Sequence, residues 1–162
     1  MIPDLPEHRM AIVTGASSGI GGAVARALGA AGIGVALVAR RRASLEHVAE
    51  EIVAAGGQAE VIAADLREPE AAREVVASAV ARLGRLDILV NSAGVARYSP
   101  VIDGDSEDWQ EMWGINVLAL ARLSREAIAS FPEGGGHVLH LGSLSGHRVP
   151  PGGGFYAATK FA

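Results

Sequence analysis

Tyr156 and Lys160 stand four positions apart, a spacing that puts both side chains on one face of a helix and within reach of each other. A free phenol titrates near ~10 and is a poor base at neutral pH. A cation ~4 Å away contributes about 4 kcal/mol at an effective dielectric of about 20. At ~1.36 kcal/mol per pH unit, that brings a phenol into the working range for proton transfer. The same spacing also occurs in ordinary surface pairs, so its value depends on company. Ser143 lies thirteen positions before Tyr156, in Gly142-Ser143-Leu144-Ser145-Gly146, where its hydroxyl serves either a turn or a reacting oxygen. Asn116 falls within a long helical stretch, where an amide either joins a site or bends the helix.

A second chemistry is written near the start, in Thr14-Gly15-Ala16-Ser17-Ser18-Gly19-Ile20-Gly21. Glycines here let the backbone turn tightly and approach a pyrophosphate with no side chain between them. A helix beginning at Gly19 offers unpaired N–H groups and the positive end of its dipole, and Ser17 and Ser18 add hydroxyls. An ordinary tight turn is the competing reading; a strand before and a helix after are the context the phosphate site needs. Three arginines, Arg40, Arg41 and Arg42, follow Ala39 with no carboxylate among them. An arginine fork matches a phosphate, whereas a solvated basic start to the next helix is the plain alternative.

The elements that must position these residues alternate along the chain. Apolar runs at Ala11–Thr14, Val35–Ala39, Val61–Ala64, Leu86–Val90 and His137–Leu141 read as strands. Helical spacing covers about Gly19–Ala31, then Ser44–Ala55 with Leu45, Val48, Ile52 and Val53 on one face, closed by Gly56 and Gly57. Pro69 suits the first turn of a helix running to about Leu83. A long helix spans about Glu107–Phe131 with Asp105 or Ser106 as cap, and Tyr156–Ala162 opens a last one. Such alternation predicts an α/β fold, a Rossmann-like doubly wound parallel sheet of about five strands in the order 3-2-1-4-5.

TGASSGIG resembles the TGxxxGxG turn of short-chain dehydrogenases/reductases, and the similarity extends from about Arg9 to the last residue with the later motifs in the family's order. Asn116, Ser143, Tyr156 and Lys160 resemble that family's catalytic tetrad. The resemblance implies that Tyr156 exchanges the proton with the substrate oxygen and Ser143 orients that oxygen. It further implies that Lys160 lowers the tyrosine pKa and bonds the nicotinamide ribose, while Asn116 holds a relay water. Gly15, Ser17, Ser18, Gly19, Ile20 and Gly21 would cradle the diphosphate. Family members with a basic residue at the place of Arg40 prefer NADP(H), so NADP(H) is the coenzyme expected at Arg40 and Arg41, with NAD(H) as the other candidate. Asp65, followed by Leu66, is similar to the aspartate that bonds the adenine amino group; helix capping is its other reading. Asn91-Ser92-Ala93-Gly94 resembles the NNAG motif that supports the sheet and lines the adenosine side, with Ser92 in place of the second asparagine; a hydroxyl keeps one bond but not an amide's full set.

The activity so implied is hydride transfer between nicotinamide and a carbonyl or secondary alcohol. In similar proteins the long helix 107–131 and the Tyr156 helix pack against a partner subunit, which implies a homo-oligomer. The family fold continues past that last helix into a sixth strand, a loop, a substrate lid and a seventh strand. Residues 1–162 thus read as a single NAD(P)-binding Rossmann domain without the C-terminal strands of that fold. An unpaired edge on the fifth strand would follow, as would a catalytic helix of marginal length. Two other readings stand beside the oxidoreductase: a non-catalytic nucleotide-binding or interaction module that pairs through that edge, and a truncated product that folds poorly.

Composition removes other classes. Among 162 residues, 49% are hydrophobic but only 4% aromatic, an aliphatic mixture suited to parallel strands buried on both faces. A formal net charge of -4 argues against a nucleic-acid partner. Cysteine is absent, which excludes thiolate chemistry and disulfides. His137 and His140 fall on opposite faces of a strand, so no metal site is expected; lining the substrate side is one open reading of His147. Trp109 and Trp113 read as core or interface residues. Met1–Arg9 carries Asp4, Glu7 and two prolines rather than an apolar leader. The longest apolar run, Ala27–Ala39, falls short of the ~20 residues of a membrane span, and a cytoplasmic location is the resulting expectation.

Overall fold

A computed structural model describes residues 9–162; the expectation about an apolar leader concerns residues that lie largely outside this range. Five parallel strands alternate with helices: β1 (Met10–Thr14), α1 (Gly19–Ala30), β2 (Gly34–Ala39), α2 (Arg42–Ala54), β3 (Ala59–Ala63), α3 (Ala71–Leu83), β4 (Ile88–Asn91), α4 (Ser106–Trp113), α5 (Leu120–Ser130), β5 (His137–His140) and α6 (Gly154–Phe161). The sheet order is β3-β2-β1-β4-β5, as the alternation predicts. Ile12 lies between Ala36 of β2 and Leu89 of β4, which fixes the register at the centre.

Side chains alternate across a strand, and each face of the sheet therefore builds its own core. Ile12, Val38, Ile62 and Leu89 pack with Val75 and Ala79 of α3 and Leu123 and Ala127 of α5. Val13, Val35, Leu37 and Val90 pack on the opposite side with Ala25 of α1 and Leu45, Val48 and Ile52 of α2. Every residue of β1 is buried. β5 is mostly exposed, with Leu139 49% accessible, and among the described residues β4 is its only strand partner.

Some boundaries differ from the sequence expectation for local reasons. Pro69 sits in the turn before α3 rather than in its first turn, because Ala71 is the first residue whose bonds continue the helix. Asp87 was expected inside the fourth strand and instead anchors its lower end: it accepts the Met10 N–H at 2.9 Å and both Nε and Nη2 of Arg85, at 2.9 and 2.6 Å. Burial would push the Asp87 carboxyl up, but the Arg85 guanidinium and the Met10 N–H outweigh it and hold the group below the usual carboxylate range. Residues 107–131 do not form one uniform helix. α4 and α5 are joined by a wide π segment, Gly114–Ala119, while Asp105 caps α4 by accepting the Glu107 N–H at 2.8 Å.

Candidate active site

The carboxyl ends of all five strands open into one cleft of about 620 Å³. Gly15 follows β1, Arg40 and Arg41 follow β2, Asp65 and Leu66 follow β3, Ala93 and Gly94 follow β4, and Leu141 and Gly142 follow β5. The strand order reverses between β1 and β4, and a parallel sheet splays its connections apart at such a switch point.

The β1–α1 turn is shaped by two glycines. Gly15 has φ +66°, and a Cβ there would lie 3.0 Å from the backbone of Ala93. At Gly21 a Cβ would come within 2.5 Å of the Gly15 carbonyl oxygen. Only glycine lets the turn, the start of α1 and the β4 loop meet at this spacing. Ser18 takes the N-cap position of α1 in an extended conformation and makes no side-chain capping bond. The first-turn N–H groups of Gly19, Ile20 and Gly21 have no intrahelical acceptor by the geometry of any helix start. Ser17, Ser18, Ile20 and Gly21 line the cleft; Gly19 does not. The cradle is thus one of backbone donors and small side chains, and it fits a diphosphate.

Thr14 is a residue whose role the sequence reading did not assign. Its Oγ1 accepts the N–H groups of Ser92 at 3.1 Å and Ala93 at 3.0 Å, clasping the ends of β1 and β4 together. A buried threonine directly before the glycine turn was the available signal.

Past the ends of β3 and β4 the cleft has apolar walls from Ala64, Leu66, Ala93 and Ile115. Asp65 lines it but caps no helix: α3 starts six residues later, and the carboxylate binds Arg67 through the backbone N–H at 3.1 Å and Nε at 3.0 Å. The Arg67 side chain lowers the Asp65 carboxyl, partly against burial, and the Arg40 charge adds to the same direction. Asn91 is placed differently from the expectation that it lines the adenosine side. It is buried, with Nδ2 3.3 Å from the Ser124 hydroxyl and 3.2 Å from Nδ1 of His140, while Ser92 reaches the cleft in its stead. Asn91 is the last residue of β4 and Ser92 the first of the loop that follows it.

At the other end of the cleft, α6 brings Tyr156 and Lys160 to one wall. Lys160 Nζ lies 6.0 Å from the Tyr156 ring centroid and donates to the Leu141 carbonyl at 3.2 Å. Partial burial holds the Lys160 ammonium below the usual lysine range. Tyr98 packs against Tyr156 with ring centroids 5.6 Å apart.

Asn116, in the π segment, does not line the cleft. Its Oδ1 accepts the Val95 N–H and its Nδ2 donates to the Val95 carbonyl and to Thr159 Oγ1, each at 2.9 Å. Thr159 in turn donates to the Tyr156 carbonyl at 2.8 Å. The amide therefore ties the β4 loop to the helix that bears Tyr156. Ser143 also lies off the cleft lining, where its Oγ accepts the Ser145 N–H at 3.1 Å and caps a short turn. Of the four expected catalytic residues, the fold brings Tyr156 and Lys160 into the cleft and places Asn116 behind them. Trp109 stacks on Phe155 at 5.2 Å, a helix-packing contact. Among the described residues no cluster of three or more metal-type ligands occurs, and no helix is long and apolar enough to cross a membrane.

Comparison with known proteins agrees with this geometry. The bovine dehydrogenase/reductase SDR family member 11 (Bos taurus) is 40% identical over 161 residues, covering 95% of this chain and 63% of that protein. The chain therefore spans less than two thirds of the length of that curated relative. An alcohol dehydrogenase from the archaeon Thermococcus sibiricus, solved with 5-hydroxy-NADP, superposes with a TM-score of 0.92 at 33% identity, over 96% of this chain and 67% of that one. A metagenomic short-chain oxidoreductase in complex with NADP gives 0.88 at 39% identity, over 94% and 70%. The family model described as short chain dehydrogenase matches residues 9–162, and the chain belongs to that family.

Proposed function

We propose that this chain binds NADP(H), with NAD(H) as the weaker coenzyme, and that it serves an oxidoreductase acting on a carbonyl or secondary alcohol. One observation supports this above the rest: a single cleft is lined at one end by the glycine turn and at the other by Tyr156 and Lys160. Structural relatives at 33% and 39% identity hold an NADP-type coenzyme. When bound, the nicotinamide supplies the hydride acceptor or donor.

The chain's own groups have separate tasks. Backbone N–H groups at the start of α1, with Ser17 and Ser18, take the diphosphate. Arg40 and Arg41 offer guanidinium groups to a 2'-phosphate. Asp65 and Leu66 border the adenine end, and Ala93 and Gly94 leave the backbone of the β4 loop open to the nucleoside. Tyr156 takes the hydroxyl proton from an alcohol at its phenolic oxygen, or returns it to a carbonyl oxygen. Lys160, with Nζ on the Leu141 carbonyl and 6.0 Å from the Tyr156 ring centroid, bonds the nicotinamide ribose. Asn116 maintains the position of α6 through Thr159. Ser143, next to Gly142 of the cleft lining, orients the substrate oxygen.

The test is turnover and binding in one sample. NADPH titration is expected to saturate, and a panel of ketones and aldehydes is expected to consume NADPH. Tyr156→Phe should lower turnover by about 10²- to 10⁴-fold, the size of a lost acid–base group, while leaving coenzyme affinity in place. Saturable NADPH binding with no turnover on the panel would move the reading to a non-catalytic nucleotide-binding module. No binding of either coenzyme to folded protein would remove it.

A further inference from the structure

Near Arg40 the sequence offers other arginines and no carboxylate, but the fold brings a carboxylate from elsewhere. Glu111, on α4, has Oε1 3.9 Å from Arg40 Nη1, and its Oε2 accepts from Arg97 Nη2 at 2.9 Å. Arg97 is itself held by Asp108 at 3.3 Å. Glu111 is therefore anchored by one oxygen and turns the other toward Arg40. The two partners differ in freedom: the Arg40 side chain is 56% exposed, that of Glu111 only 18%. Arg40 lines the cleft and Glu111 does not.

We propose that Glu111 is a positioning residue for Arg40, one that holds the guanidinium in the coenzyme-free protein and competes for it with a 2'-phosphate. The inference rests on the reading of Arg40 as a phosphate ligand. A carboxylate and a phosphate draw on the same fork of donors, whereas a 2'-hydroxyl brings no charge to that place. Glu111 thus weakens the phosphorylated coenzyme alone and narrows the margin between NADPH and NADH. An exposed pair at this distance is modest in strength, so the effect is a few-fold.

Equilibrium titrations with NADPH and with NADH test this on the whole chain. Glu111→Gln should tighten NADPH by about 2- to 5-fold, the scale of an exposed ion pair, and leave NADH unchanged. Glu111→Asp keeps the charge but withdraws it by one methylene, and should act in the same direction with smaller size. In an Arg40→Ala background the Glu111→Gln gain should vanish. Weaker NADPH binding in Glu111→Gln, an equal change for both coenzymes, or a gain that persists without Arg40 would each overturn the proposal. The two layers separate cleanly. If Arg40→Ala leaves the NADPH/NADH ratio unchanged, the phosphate reading of Arg40 fails and takes this inference with it. If Arg40→Ala lowers the ratio while Glu111→Gln does nothing, the role of Glu111 alone fails.

Discussion

The two ends of the cleft are built by different means. At the glycine turn, shape comes from backbone: β1 is buried throughout, Gly15 and Gly21 leave no room for a Cβ, and Thr14 clasps the β4 loop. At the Tyr156 end, shape comes from a few side-chain ties. Asn116 bonds Thr159, Trp109 stacks on Phe155, and Lys160 reaches the Leu141 carbonyl beside a largely exposed β5. Backbone geometry set within a buried ladder has little freedom to adjust, whereas side-chain ties can be removed one at a time. Coenzyme binding and catalysis should therefore be separable by mutation, because each depends on a different kind of contact.

The largest effect on coenzyme affinity should come from the backbone end. Gly21→Ala puts a methyl 2.5 Å from the Gly15 carbonyl oxygen, an overlap that no rotamer relieves. The turn must move, and both coenzymes should lose affinity by at least about 10-fold, equivalent to ~1.4 kcal/mol of lost phosphate geometry. Calorimetric titration with NADPH and NADH reads this directly. Wild-type affinity in the alanine variant would show that the turn is softer than its contacts imply.

A loss of stability that should spare the cleft is expected at the opposite end of the sheet. Asp87→Asn removes the paired acceptor that Arg85 and the Met10 N–H share, and should cost about 1–3 kcal/mol in urea unfolding. Its pH dependence has a definite sign. The folded carboxyl titrates below its unfolded value, near ~3.9 for aspartate. The stabilisation is then complete above that value and drains away as pH falls through the lower folded one. The gap between wild type and Asp87→Asn should close in acid; a gap that widened would mean the carboxylate is not stabilised by folding. Coenzyme affinity at neutral pH should not move, which marks this site as support for the sheet.

Sequence made the backbone end legible and the side-chain end only partly so. Gly15 and Gly21 were readable because a residue type without Cβ, placed between a strand and a helix, has a steric reason to be there. The order β3-β2-β1-β4-β5 followed from alternation and short connections. Tyr156 and Lys160 share a face through helical spacing alone. The partners of Asn116 were not readable, since its bonds to Val95 and Thr159 join segments far apart in the chain. For the same reason the approach of Glu111 to Arg40 left no local trace. The turn of Asn91 toward Ser124 and His140 was unreadable too, since those partners lie 33 and 49 positions further along the chain.

The finest probe of the comparison is Thr159. It is buried, accepts from Asn116 and donates to the Tyr156 carbonyl, and does not itself line the cleft. Thr159→Val keeps the volume and removes the hydroxyl. Asn116 Nδ2 keeps the Val95 carbonyl through one N–H while its second N–H loses its partner, and the expected loss is at least about 1 kcal/mol. If α6 is positioned through this bond, the loss falls on catalysis: kcat should drop roughly 5-fold, as ~1 kcal/mol implies, with coenzyme affinity held. Thr159→Ser restores the hydroxyl without the methyl and should recover most of the rate. A parallel fall in NADPH affinity would instead mean that the tie runs on through Val95 into the β4 loop and that the two ends share one frame.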